Sequence, residues 1–225
     1  MIAAIVGQFG HPRGTVGRVT GWVMAYRPSN RQRNRWVVSL LDVQPTDRVL
    51  EIGFGPGIAI QELSWFATAG HVYGVDHSQV MVRQACRRNA HAIRAGRVDL
   101  RRGSADDLPT FGEPLDAVLA VNSMGFWPDP ARTLRQLRAR LRPGGQIAIA
   151  SQPRCPGATS ETSQRAAHQI RLLLEAAGYS RIRIETLDLD PPAVCVLGVN
   201  DAHAERREGE GFGRSTPSQV SRWMC

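Results

Sequence analysis

The chain has 225 residues, of which 42% are hydrophobic and 21% charged, a composition that excludes a wholly disordered, collagen-like or membrane-embedded protein. One domain with a substantial core suits this length. The formal charge is +8 and every basic residue is arginine, none lysine; a basic balance bears on partners and solubility, not on fold or chemistry.

From Met1 to Leu41 there is no Asp or Glu, whereas Arg13, Arg18, Arg27, Arg31, Arg33 and Arg35 all occur. Val16, Val19, Trp22, Val23 and Tyr26 recur at helical spacing, and Trp36, Val37, Leu40 and Leu41 repeat it after a break at Pro28-Ser29-Asn30. Two short helices are predicted there. Beyond Pro45 strand-like and helix-like segments alternate, the rhythm of a parallel sheet with helices on both faces. Predicted strands are Arg48 to Ile52, His71 to Val75, Val98 to Arg101, Ala117 to Val121, Gln146 to Ala150, Arg181 to Thr186 and Ala193 to Leu197. Predicted helices are Ile58 to Thr68, Gln79 to Ala95, Ala131 to Leu141 and Glu161 to Ala177. After Val199 apolar residues almost vanish, and such a tail cannot offset its ordering entropy. The expected organisation is a helical segment over residues 1–44, a domain over 45–199 and a polar, disordered tail over 200–225.

Cys86, Cys155, Cys195 and Cys225 show no C-x-x-C pair and no His at ligand spacing, so neither a metal site nor a disulfide framework is expected, and reduced thiols are. The start MIAAIVGQFG lacks a basic n-region, and no stretch approaches ~18 uninterrupted apolar residues. The cytoplasm is the expected location.

The most informative stretch is VLEIGFGPG, Val49 to Gly57, where an apolar strand ends in Gly53, Gly55 and Gly57 and a helix follows. Glycines let backbone approach a ligand closely and take positive φ, and the N–H groups of the next helix point at it. A dinucleotide fingerprint needs a sixth-position glycine, which here is Ile58. Glu51, two residues before the first glycine, stands where a nucleotide-binding strand would stay apolar. A carboxylate there suits a ligand with positive charge.

E-x-G-x-G-x-G after a strand resembles motif I of the class I S-adenosylmethionine-dependent methyltransferases. The resemblance runs from about Gly14 to Gly198 and is strongest to small bacterial enzymes related to the ubiquinone and menaquinone biosynthesis methyltransferases. It implies a Rossmann-like, doubly wound α/β fold with a seven-stranded, mostly parallel sheet. It also implies that Asp76, in HVYGVDHS, takes both ribose hydroxyls, with His77 and Met81 beside it; a carboxylate is acceptor-only and can receive two O–H donors. The alternative for Asp76 is a cap on the helix starting near Ser78. GSADDLP, Gly103 to Pro109, resembles the adenine-edge segment, with Ser104, Ala105 or Asp106 meeting the adenine, and LRPGG, Leu141 to Gly145, the turn entering the fifth strand.

Asn122, in VNSMGFWPDP, opens the loop that by resemblance closes over the sulfonium end of S-adenosylmethionine. That loop lacks the N-P-P-Y type sequence of enzymes modifying amide or adenine nitrogens, which favours a small-molecule acceptor. Phe126 and Trp127 either line a pocket for a hydrophobic or aromatic acceptor or pack the loop onto the sheet. No catalytic base is assigned; His11, His77 and His168 are each as well explained by structure or exposure. The readings set against a methyltransferase are a nicotinamide-dependent oxidoreductase and a non-catalytic cofactor or nucleic-acid binder. The dispersed arginines form no single basic and aromatic stripe, so no specific nucleic acid is expected. The segment about Arg13 to Trp36 is expected to be an active-site lid, with a rival reading as a basic amphipathic helix on an anionic membrane.

Overall fold

The computed structural model describes residues 28–201. The helix expected over Val16 to Tyr26 and the tail beyond Asp201 lie outside them. The first element among the described residues is α1 (Pro28–Leu40). Pro28 and the residues after it therefore begin a helix instead of breaking one: proline at the first turn lacks only an N–H that would be unpaired anyway.

A seven-stranded sheet in the order β3-β2-β1-β4-β5-β7-β6 follows, built from β1 (Arg48–Ile52), β2 (His71–Asp76), β3 (Val98–Arg102), β4 (Leu115–Val121), β5 (Leu141–Ser151), β6 (Ser180–Leu187) and β7 (Ala193–Val199). The first five strands pair in parallel, and β7 lies antiparallel between β5 and β6. The strand order reverses between β1 and β4, which opens a crevice at their carboxyl ends. Between the strands run α2 (Ile58–Phe66), α3 (Gln79–Arg88), α4 (Ala90–Arg94), α5 (Pro130–Arg138) and α6 (Ser160–Ala176).

Alternation along β1 sorts the two cores. Leu50 and Ile52 pack with Leu134 and Leu137 of α5 and Ile170 and Leu174 of α6. Val49 faces the other side, with Val37, Val38 and Leu41 of the α1 region and Ile60 and Leu63 of α2. Burying a Leu or Ile side chain contributes roughly 1.5–3 kcal/mol, so both helix layers are firmly held.

Two expected elements differ in detail. The helix predicted from Gln79 to Ala95 is split at Asn89, whose side-chain amide donates to the carbonyls of Ala85 at 2.9 Å and Gly57 at 3.1 Å. LRPGG is drawn into β5 as a bulge between the Leu115–Leu141 and Ala117–Gln146 pairings. The Asn200 amide donates there to the carbonyls of Arg138, Leu141 and Arg142. Cys86 and Cys195 are free thiols, but Cys155 is disulfide-bonded, a correction to the expectation of reduced thiols. Every other cysteine is at least 40 residues away from Cys155 in sequence, and such distant pairings leave no spacing signature. No described helix is long and apolar enough to cross a membrane.

Candidate active site

The turn from β1 into α2 holds three glycines at positive φ for different reasons. A Cβ on Gly53 would lie 2.3 Å from Cβ of Ser123, and one on Gly57 would lie 2.7 Å from Cβ of Ala85. These two permit close packing against the β4 loop and α3. A Cβ on Gly55 would meet nothing within 4 Å. That glycine faces open space and leaves room for a ligand.

Glu51 points into the α2 side of β1 and is 1% exposed. Gly57, the N-cap of α2, offers no side chain; the Glu51 carboxylate instead accepts from the Ile60 N–H in the first turn, where anions are favoured. Oε2 of Glu51 has no partner. Burial, then the nearby Asp76 carboxylate, hold the Glu51 carboxyl well above its ordinary value. A cation arriving there would relieve both effects.

Asp76 ends β2 and is buried. Its Oδ2 accepts from the Gly55 N–H and its Oδ1 from the Ser78 N–H, both at 2.8 Å. Burial raises its carboxyl above the ordinary value against the opposing effect of these bonds and of His77. Asp76 thus steadies both the glycine turn and the start of α3, where Ser78 is the N-cap and accepts from Met81. The cap of α3 is Ser78, not Asp76, and the two backbone donors leave further lone pairs on the Asp76 carboxylate. His77 is partly exposed, with Nδ1 3.9 Å from Oδ1 of Asp76, and Met81 is buried.

Asn122 follows β4 at φ +54°, a left-handed position that Asn tolerates better than most residues. Its Oδ1 accepts from the Gln152 N–H at 2.7 Å, and its Nδ2 is buried without a partner. The next residue, Ser123, donates to the Ile52 carbonyl, which locks the β4 loop onto the glycine turn. Ser104 donates to Asp106, so the two residues expected at the adenine edge bond each other. Ala105 is buried beside Val75, and a cavity of about 240 Å³ opens beside this segment, lined by Val75, Arg102, Gly103 and Leu108 among others.

The sequence-predicted residues Glu51, Gly53, Gly55, Asp76 and Asn122 therefore meet around one turn, with Ser104 and Ala105 on the next segment over. Trp127 is buried in the core with Leu134, which favours the packing alternative for it; Phe126 stays exposed. His168 is exposed on α6. Sequence reasoning missed the pair of Arg33, 2% exposed on α1, and Gln152, directly after β5, which are hydrogen-bonded. The available signal was spacing: Asn30, Arg33, Asn34, Val37, Val38 and Leu41 form one continuous helical face whose first half is polar.

Comparison with known proteins agrees with this geometry. The profile of a family described as a methyltransferase domain matches residues 49–145. The chain is 32% identical over 185 residues to the Bacillus subtilis protein described as "Uncharacterized methyltransferase YdaC", covering 82% of this chain and 99% of that one. It is 33% identical over 121 residues to a 2-phytyl-1,4-naphtoquinone methyltransferase of Synechococcus elongatus, covering 53% of this chain and 52% of the relative. Among solved structures, the N-methyltransferase NodS of Bradyrhizobium japonicum, in complex with S-adenosyl-L-homocysteine, superposes with a TM-score of 0.62 at 18% identity, over 80% of this chain and 91% of NodS; at that identity the match speaks for the fold. With a relative matched over nearly its whole length, and with motif I folded as a strand, glycine turn and helix, the chain belongs to the class I S-adenosylmethionine-dependent methyltransferases.

Proposed function

We propose that this methyltransferase binds S-adenosylmethionine across the carboxyl ends of β1, β2 and β4 and methylates a small, hydrophobic or aromatic acceptor in the cytoplasm. The observation that carries the reading is the open space at Gly55, together with two buried carboxylates and the unpartnered Nδ2 of Asn122. That donor set fits the cofactor: Glu51 offers an oxygen to its cationic part, Asp76 has lone pairs left for ribose hydroxyls, and Asn122 Nδ2 offers a buried donor. Ser104, Ala105 and the cavity beside them suit the adenine, with His77 and Met81 flanking the ribose side.

When bound, S-adenosylmethionine supplies a methyl carbon open to in-line displacement. The protein's share is alignment and exclusion of water. Gly53 and Ser123 fix the turn against the β4 loop, so the groups facing the sulfonium end need not reorganise. Asn122, held by Gln152, keeps that loop in one conformation. We assign no side chain as base; an acceptor whose proton is already labile needs none.

Residues 1–44 are proposed to roof this crevice. In support, α1 begins at the carboxyl ends of the strands, where Arg33 meets Gln152, and then runs back along the sheet to β1. Pro28, the first described residue, therefore stands beside the crevice. A lid made of an amphipathic helix would also rest on a membrane surface if the acceptor is lipid-soluble. Calorimetry tests the cofactor: S-adenosylmethionine binding with no NADH binding is expected, and the reverse overturns the reading. A screen of phenols, quinols and amines for S-adenosylhomocysteine release tests the acceptor class.

A further inference from the structure

Arg33 is the buried arginine among the described residues. Its Nη1 donates to Gln152 Oε1 and its Nη2 to Asn30 Oδ1, both neutral amides, and its Nε has no partner. No carboxylate among the described residues pairs with it. The charge that acts on it is Arg154, of the same sign; burial first, and Arg154 second, lower its pKa to about 9. A desolvated cation with only neutral partners is costly, and natural structures compensate it with an anion. A purely structural link between α1 and β5 would be served as well by a neutral side chain.

Its position says what that anion belongs to. Gln152 follows β5, and its backbone N–H holds Asn122 after β4; its side-chain amide donates to the Pro191 carbonyl ahead of β7 at 2.8 Å. Arg33 thus sits where α1, the β4 loop and the segment before β7 converge, on the side away from Asp76 and the adenine segment. Arg154 is exposed at its rim. We propose that Arg33, with Arg154, forms an anion-recognition subsite for a carboxylate carried by the methyl acceptor. This deepens the acceptor reading above and rests on it: the substrate class becomes a small aromatic or apolar molecule bearing a carboxylate. Arg33 is then a specificity-determining residue, since a planar guanidinium matches a carboxylate in geometry as well as charge.

The test uses the full chain saturated with S-adenosylhomocysteine, titrated calorimetrically with benzoate and with its neutral isostere benzamide. Benzoate is expected to bind about tenfold tighter or more, and Arg33→Gln to abolish that preference, as for a lost charged hydrogen bond. The same variant should keep S-adenosylhomocysteine affinity within about twofold and should not melt lower when ligand-free, because it removes an uncompensated charge. Equal binding of benzoate and benzamide by the wild type, or no binding of either, overturns the inference. So does a variant that melts lower with the preference intact, which would make Arg33 structural. Loss of S-adenosylhomocysteine affinity with 5′-methylthioadenosine affinity unchanged would assign the carboxylate to the cofactor, and also overturns it. Should Arg33→Gln not fold, Arg154→Gln is read instead, with a reduced benzoate preference expected and an unchanged one refuting. Failure of the wild type to bind S-adenosylhomocysteine strikes the functional reading itself, a distinguishable result.

Discussion

Placing a single methyl group at Gly55 separates folding from cofactor binding. In Gly55→Ala the new Cβ meets nothing within 4 Å, so the folded state suffers only the left-handed backbone at φ +53°, roughly 1–2 kcal/mol. For a chain of this size that is a melting decrease of about 2–8 °C. The methyl group, however, occupies the space proposed for the cofactor. Overpacking typically costs ~1–3 kcal/mol, so S-adenosylhomocysteine affinity should fall about 10- to 100-fold. Gly53→Ala is the control with the opposite balance. It carries a similar φ cost at +72° plus a contact of 2.3 Å with Ser123, about 2–5 kcal/mol in sum, and should be the less stable variant by urea unfolding. Calorimetry and urea unfolding on both variants decide it. A folded Gly55→Ala protein that binds S-adenosylhomocysteine as the wild type does would remove the cofactor from this cradle.

Asp76→Ala should weaken S-adenosylhomocysteine binding by roughly 1.5–3 kcal/mol, and it should also lower the melting temperature, since the Gly55 and Ser78 N–H groups lose their acceptor; unchanged affinity by calorimetry would refute the ribose assignment. Glu51 has its carboxyl raised by burial, so the native state holds its proton more tightly than the unfolded chain. Its favourable contribution is complete below the ordinary carboxyl value and is lost as pH rises through the raised one. Ligand-free Glu51→Gln should therefore melt above the wild type at neutral pH, with the gap closing as pH falls toward ~4, while its S-adenosylmethionine affinity drops; a gap that widens on acidification contradicts this. Deleting residues 1–27 should leave S-adenosylhomocysteine binding near wild type and sharply reduce turnover, and a truncated protein of full activity would end the lid reading.

Local chemistry carried most of what the sequence made legible. The strands end at or close to their expected carboxyl limits where buried runs meet glycine or acidic residues, as at Ile52 and Asp76, whereas β5 begins well before its expected start, at Leu141. Motif I was readable because a turn with glycine at alternate positions has few other uses. The split at Asn89 escaped notice because its cause is a carbonyl 32 residues away, at Gly57. The β5 bulge likewise depends on Asn200, and Arg33 depends on Gln152, 119 residues distant. Such polar partnerships have no periodicity. Periodicity reveals that Trp36 to Leu40 is helical, but the apolar pattern stops where the face turns polar, and there the buried arginine begins.

The antiparallel insertion of β7 between β5 and β6 also constrains the order in which the protein can be made. Until residues 193–199 have left the ribosome, β5 has no neighbour on that side, and Ile147, Ala148, Ile149 and Ala150 stand on an unpaired strand edge. Asn200, the residue that satisfies the carbonyls around the β5 bulge, emerges later still. The nascent chain therefore carries an apolar edge from the emergence of β5 until that of β7, the kind of surface that invites pairing with other chains. Closure by β7 makes the β5 edge depend on a strand made well after it, and chaperone demand should fall once Asn200 is released.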